Sequence, residues 1–440
     1  MRDKIIVFTD VVIGNACCHN GNAPNGGVSN IILANDYYIS EVAMSRFLLC
    51  AFSFVLLYPT AIDLYLVGLP QIAADLAATQ SQLHMAFSIY LSGMAMTMLF
   101  VGRLADRFGR KPVAIAGAIV FAISSWLGGA SQTSDAFLMM RFFQGVGAGC
   151  CYVVAFAILR DTLDDQKRAK VLSMLNGITC MIPVLAPVIG HLIMLKFPWP
   201  VLFSAMAAMG VLVCLIATFV LKETLSKQSN DLAHSEESGS NETLWDRYFL
   251  SRVLFTSLGV TAILTYVNTS PMIVMETLNF SRGEYSTAMA LLAMVGMSTS
   301  FSAPIALSYF KQGTLLLGSQ IITLTSAIVI LAAHLNGDSS TLYMLGFGLI
   351  SMGFSMGFGV AMSQALSPFS NKAGLASSVL GISQVCCSAL YIWFMAWIGV
   401  SAVNMLLIAL VAGGVIGIAL ILLGTNQQRS DLHEEITCTP

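Results

Sequence analysis

At 440 residues, 56% hydrophobic and only 10% charged, the chain does not have the make-up of a water-soluble protein, since globular chains are about 25% charged. The net charge of −2 leaves no basic face for nucleic acid, and the apolar content excludes disorder. With a mean hydropathy of +0.78, most of the chain has lipid as its solvent.

Residues 1–43 carry only short apolar runs, at Ile5–Ile13 and Ile31–Ala34, and an unpatterned Asn/Gly stretch. They are expected to be an N-terminal extension, disordered or the product of a start codon upstream of Met44. Runs of about 20 mainly apolar residues, the length that crosses the hydrocarbon core, then follow in order. Six fall at 47–68, 84–102, 113–130, 137–159, 171–193 and 199–221. A polar linker spans 222–248, and six more runs fall at 251–273, 286–308, 313–334, 341–364, 374–397 and 400–423. A tail covers 425–440. The 36 glycines favour close helix packing over a barrel. The expected fold is therefore an all-α integral membrane protein of twelve transmembrane helices. It divides into two six-helix halves, 44–221 and 249–424, the layout of a duplicated transporter with a central site between its halves.

Lys and Arg set the orientation. With Met44 in the cytoplasm, sixteen of the 21 fall in the even-numbered loops and the ends next to the spans, and only Lys196 and Arg282 fall in outer loops. Both termini are expected to be cytoplasmic. The ten cysteines include adjacent pairs that cannot readily bridge and show no metal-ligand spacing, so neither disulfide nor metal is expected.

Four segments carry chemistry. Asp63 lies in span 1, within Ala61-Ile-Asp-Leu-Tyr-Leu-Val-Gly-Leu-Pro70. Between spans 2 and 3 runs Gly102-Arg-Leu-Ala-Asp-Arg-Phe-Gly-Arg-Lys-Pro-Val113, a tight basic turn. Its Gly102 and Gly109 permit close packing and positive φ, while Arg107, Arg110 and Lys111 hold it on the cytoplasmic side. Asp106, an acid among bases, pairs with an arginine or faces a helix N-terminus. Span 4 contains Arg141-Phe-Phe-Gln-Gly-Val-Gly-Ala-Gly149. Gln144 and Gly145 share the face of Arg141, a charge that must meet protein or water rather than lipid. By these span limits Asp63 and Arg141 are the two formal charges a turn or more inside the membrane. They are expected to pair with each other or to meet a water-filled cavity. An aspartate that trades partners between two conformations is a proton carrier; the alternatives are a static ion pair and an arginine bonded to backbone carbonyls. In span 5, Pro183 and Pro187 remove backbone hydrogen bonds and bend the helix, with Gly190 beyond them.

The loop at 102–113 is similar to the signature of the major facilitator superfamily, G-x-L-a-D-r-x-G-R-[KR]. The resemblance extends from Met44 to about Gly424. It implies that Gly102, Asp106, Arg107, Gly109, Arg110 and Lys111 form a conformational latch between the halves. Arg141 onwards resembles the superfamily's motif for proton coupling. Span 5 resembles its antiporter motif, with Pro183, Pro187 and Gly190 present and Ala186 in place of the central glycine. The Asp63 segment resembles the drug:proton antiporters of the bicyclomycin and chloramphenicol resistance branch, with Val67 where a proline is frequent. Cys150–Asp161 and Leu175–Lys196 are most similar to a bacterial multidrug transporter of that branch. Arg160-Asp161, Lys222-Glu-Thr-Leu225 and Gly374–Gly381 are lesser echoes of the superfamily, and the second copy of the loop has decayed to Leu307–Lys311.

The resemblance implies a proton-coupled multidrug exporter in a bacterial inner membrane, a functional monomer working by alternating access. Its partners would be small lipophilic drugs, protons and the bilayer, and it would need no cofactor. Asp63 and Arg141 would couple protons. Tyr65, Tyr90, Gln144, Tyr152, Asn176, Tyr266 and Asn268 would line the drug cavity, among flexible methionines suited to varied ligands. The alternative is a proton-coupled importer of a small nutrient. An enzyme is excluded: Asp161-Thr-Leu-Asp-Asp165 lacks the second acidic cluster that a Mg²⁺-diphosphate site needs and is crowded by bases. There is no Walker loop or hydrolytic constellation, and no filter repeat of a channel.

Overall fold

The computed structural model describes residues 46–163, 165–224, 247–367, 369 and 373–437, and among them every regular element is helical. The expected extension 1–43 and most of the expected linker 222–248 lie outside the described residues. Twelve long helices follow one another: α1 Arg46–Asp75, α2 Gln80–Phe108, α3 Arg110–Gly129, α4 Ser134–Thr162, α5 Asp165–Met194 and α6 Pro200–Phe219. The second set is α7 Arg247–Thr277, α8 Arg282–Tyr309, α9 Gln312–Leu335, α10 Ser340–Leu366, α11 Ala373–Trp397 and α12 Ala402–Thr437. Eleven of them are long and apolar enough to cross a membrane along their described length; the remaining helix, α5, has an apolar segment at Met181–Met194.

The helices outrun the apolar stretches because polar caps sit beyond the hydrocarbon. At the start of α2 the Thr79 hydroxyl accepts from Gln82 N at 3.2 Å, while Gln82 Oε1 accepts from Thr79 N at 2.9 Å. Ser281 and Glu284 make the same reciprocal cap on α8. Gly109, at φ 101°, separates α2 from α3 with a backbone that an L side chain rarely adopts. Gly102 makes no close packing contact: a Cβ there would meet nothing within 4 Å.

Two helices change pitch. α1 tightens into a 3₁₀ turn at Leu66–Gly68 and then continues through Leu69–Asp75, past the expected end of span 1. α7 widens into a π turn at Met272–Thr277 after Pro271. α5 runs unbroken through Pro183 and Pro187. α12 continues to Thr437, so most of the expected tail 425–440 is helical.

In the first half α4 packs between α2 and α3, and α3 packs on α6. Small residues permit the approach: a Cβ on Gly147 would stand 2.6 Å from the Gly117 carbonyl oxygen, and one on Gly149 2.9 Å from Thr97 Cβ. In the second half α7 packs on α10, α11 and α12, α9 on α10 and α12, and α8 on α10. The halves meet where α2 lies on α11 and α5 on α8. The rim exposes Phe100, Trp126, Phe219, Phe301, Ile328 and Leu423, a surface that lipid rather than water accommodates.

Asp63 and Arg141 are not the only charges sealed inside. Arg252, on the second turn of α7, is 4% exposed, and its Nε and Nη1 have no hydrogen-bond partner. The apolar-run limits placed it at a span edge. The packing of Phe249 and Val253 against Phe369, Ala376 and Leu380 encloses this part of α7.

Candidate translocation site

Arg141 is fully buried among α1, α2 and α4. Its Nη1 donates to the Ala61 carbonyl at 3.1 Å and to Gln144 Oε1 at 2.5 Å, and Nε donates to the Ala86 carbonyl at 3.4 Å. Its guanidinium carbon stands 4.3 Å from the Tyr65 ring centroid and 4.6 Å from that of Tyr90. Gln144 in turn donates to Ser125 Oγ at 2.8 Å and to Met206 Sδ at 3.4 Å, which ties α4 to α3 and α6. The charge is thus balanced by π faces and carbonyl dipoles.

Asp63 and Arg141 form no ion pair, which removes one of the two expected arrangements, pairing with each other, while Arg141 bonds backbone carbonyls. Matching depth along two helices does not make two side chains face one another. The Asp63 carboxylate is 5% exposed. One turn after it the chain enters the 3₁₀ break. There α5 comes close: a Cβ on Gly190 would stand 2.8 Å from the Leu64 carbonyl oxygen. This places the proline-bearing helix against the residue next to the acid.

The expected cavity residues have separate partners. Tyr65, Tyr90 and Gln144 belong to the Arg141 cage, and the Tyr90 hydroxyl also donates to the Tyr58 carbonyl at 3.1 Å. Tyr152 stacks edge-on against Tyr58 at 5.8 Å, and Tyr266 donates to Met289 Sδ at 3.4 Å and packs on Phe347. Asn268 bonds His84 across the halves at 2.9 Å. The side chain of Asn176 lies outside what is described. A cavity of about 40 Å³, lined by Thr256, Ser319, Gln320 and Gly353 among others, lies within the second half, away from these residues; it has room for a few waters.

The basic loop forms a charge cluster within the first half. Arg110, 2% exposed, bonds Asp106 at 2.6 Å and Asp161 at 2.9 Å, and Arg160 stands 3.9 Å from Asp106 and 3.5 Å from Asp161. Glu223 accepts from Arg110 N at 2.9 Å and Lys111 N at 3.2 Å at the start of α3, and Lys111 Nζ donates to the Thr218 carbonyl at 2.7 Å. Arg107 lies over the Phe108 ring. The echoes at Asp161 and Glu223 are therefore parts of one cluster with the loop.

Residues 50–395 match the Major Facilitator Superfamily. The chain belongs to that superfamily. It is 63% identical over 393 residues to the multidrug resistance protein MdtL of Vibrio parahaemolyticus, covering 89% of this chain and 99% of that one. It is 57% identical over 392 residues to the protein of the same name from Klebsiella pneumoniae, with the same coverage. The fold is that of a bacterial homologue of the lysosomal transporter Spinster in an inward-facing conformation. The TM-score is 0.67 at 16% identity, over 88% of this chain and 97% of that one. A D-xylose-proton symporter shares it with a TM-score of 0.65 at 17% identity, over 88% and 96%. This superfamily member is thus a multi-pass membrane protein of two six-helix halves.

Reasoning from the chain missed His84, Tyr58, Ser125 and Arg252. His84 bonds a partner in the opposite half, Asn268, and no local pattern marks it. Ser125 reads as one more small residue in a span.

Proposed function

We propose that this protein exports small lipophilic drugs, of the chloramphenicol and bicyclomycin kind, in exchange for protons, and does so as a monomer in the bacterial inner membrane. The observation that carries the reading is the near-full-length identity to multidrug resistance proteins. Supporting it is Asp63, an acid buried within the bundle on α1. The domain reading is a 44–221 half, a 222–248 linker, a 249–424 half and a tail at 425–440, with both termini cytoplasmic by the distribution of Lys and Arg.

In this reading the α1/α2 end of the bundle is the outer end, and it is closed. Gln80, Ser81 and His84 at the start of α2 bond Glu276, the Ala396 carbonyl and Asn268 of the other half. Drug enters from the cytoplasm or inner leaflet, against Tyr152 and Tyr266. Rocking of the halves opens the outer end and exposes Asp63 to the external proton supply. Protonation removes a buried charge that has no counter-ion in this conformation, which favours drug release and return. Arg141 holds α1, α2 and α4 in register around the acid. Gly190 lets α5, which carries Pro183 and Pro187, pass that motion to α1. Asp106 leaves its pairing with Arg110 and Arg160 to latch the halves when the cytoplasmic end closes, with Gly102, Arg107, Gly109, Arg110 and Lys111 shaping the loop.

Inverted vesicles test the direction. Adding drug to energised vesicles should release protons from the lumen as drug is pumped in. Proton movement in the same direction as drug would overturn export.

A further inference from the structure

His84 and Asn268 are each 1% exposed, lie on α2 and α7, and come from chain positions 184 residues apart. Asn268 Nδ2 donates to His84 Nδ1 at 2.9 Å. His84 then carries its proton on Nε2, which is buried without a partner. Other polar groups nearby on α7 are already used. The hydroxyls of Thr265, Thr269 and Ser270 donate to Thr261, Thr265 and Val267 carbonyls of their own helix, whereas Asn268 reaches across to α2. One turn earlier on the same face of α2, Gln80 donates to Glu276 at 3.1 Å, but that contact is exposed to solvent. The His84–Asn268 bond is the dry one. If the halves part without water reaching both groups, each is left unsatisfied, and this favours the closed end. The orphaned Nε2–H works the other way and keeps the closed end from being too stable to open.

We propose that the His84–Asn268 hydrogen bond is the polar lock of the closed outer end, and that these two positioning residues set how often the transporter opens outward. This rests on the alternating-access reading above. The lock predicts opposed changes at the two ends of the bundle, whereas mere loss of stability loosens both.

Hydrogen exchange on the full chain in lipid nanodiscs separates these outcomes. In His84→Ala, protection across 80–91 and 264–277 should fall about tenfold, the change that loss of one hydrogen bond of ordinary strength produces. Protection at the opposite ends, 100–108 and 355–367, should rise. Asn268→Ala should match it, and the double variant should add nothing further. His84→Asn, whose Oδ1 replaces Nδ1 as acceptor, should restore the wild-type pattern. Protection lost equally at both ends, or a His84→Ala pattern equal to wild type, overturns the lock. If the wild type itself shows no opposed change between acid and alkaline buffer, the alternating-access reading falls and the lock with it. A responsive wild type beside a silent His84→Ala removes the lock alone.

Discussion

The guanidinium carbon of Arg141 lies 4.3 Å from the centroid of the Tyr65 ring, so this buried base is held by a π face of the helix that carries Asp63. A lysine keeps the charge but has neither the planar fork nor the stacking surface. Arg141→Lys and Arg141→Ala are each expected to lower stability in detergent by about 1–3 kcal/mol, the alanine variant more, because Gln144 and the Ala61 and Ala86 carbonyls lose their donor. Denaturant titration of the purified protein checks this; an Arg141→Ala protein as stable as wild type would show that the cage holds nothing.

Asp63→Asn keeps the size of the side chain and removes its titration. It is expected to insert and fold, to bind drug, and to lose uphill efflux driven by a proton gradient. Drug resistance of cells and proton release from vesicles measure the loss. Undiminished uphill export by this variant would take Asp63 out of the mechanism.

Glu223 accepts from the first backbone N–H groups of α3, at Arg110 and Lys111. Its carboxylate does the work of an N-cap from 113 residues away. Glu223→Ala is expected to cost about 1 kcal/mol, read as a lower midpoint of unfolding and faster exchange at 110–113.

Asp338, in the loop between α9 and α10, takes hydrogen bonds from His334 at 3.0 Å and Tyr343 at 2.9 Å. These hold its carboxyl below the ordinary carboxylate range. A depressed value means that the contact stabilises the folded loop above the unfolded pKa of about 3.9 and is lost as pH falls through the lower folded value. Exchange at 335–340 should therefore quicken only in strong acid. Asp338→Asn should abolish that dependence, and a loop equally acid-sensitive in the variant would exclude Asp338 as its cause.

Gly147 faces the backbone of α3 at Gly117 and Phe121. Gly147→Val forces two helices apart where there is no flexible side chain to yield, and overpacking of this kind costs about 1–3 kcal/mol. Gly102→Ala, by contrast, adds a methyl into open space and should leave the unfolding midpoint unchanged.

Some of this was legible along the chain. Hydrophobic run length decided the twelve helices, because crossing a fixed thickness of hydrocarbon is a property of each segment by itself. The positive φ of Gly109 and the identity of the two charges in spans 1 and 4 are likewise local. The helix ends are not local in this sense: caps such as Thr79 with Gln82 carry a helix past its apolar run, and Phe249 and Val253 draw Arg252 inside from the edge of its run.

The sequence by itself determined the solvent, the helices, the duplicated layout and the short list of charged groups, since each follows from composition or from spacing within a few turns. Only the tertiary structure decided which groups meet. Rotation of each helix about its own axis sets what a side chain faces, and that rotation is chosen by packing, by Gly147 against α3 and Gly190 against α1. It turned Arg141 toward Tyr65 and two carbonyls rather than toward Asp63. It placed Asn268, expected in the cavity, against His84 of the other half.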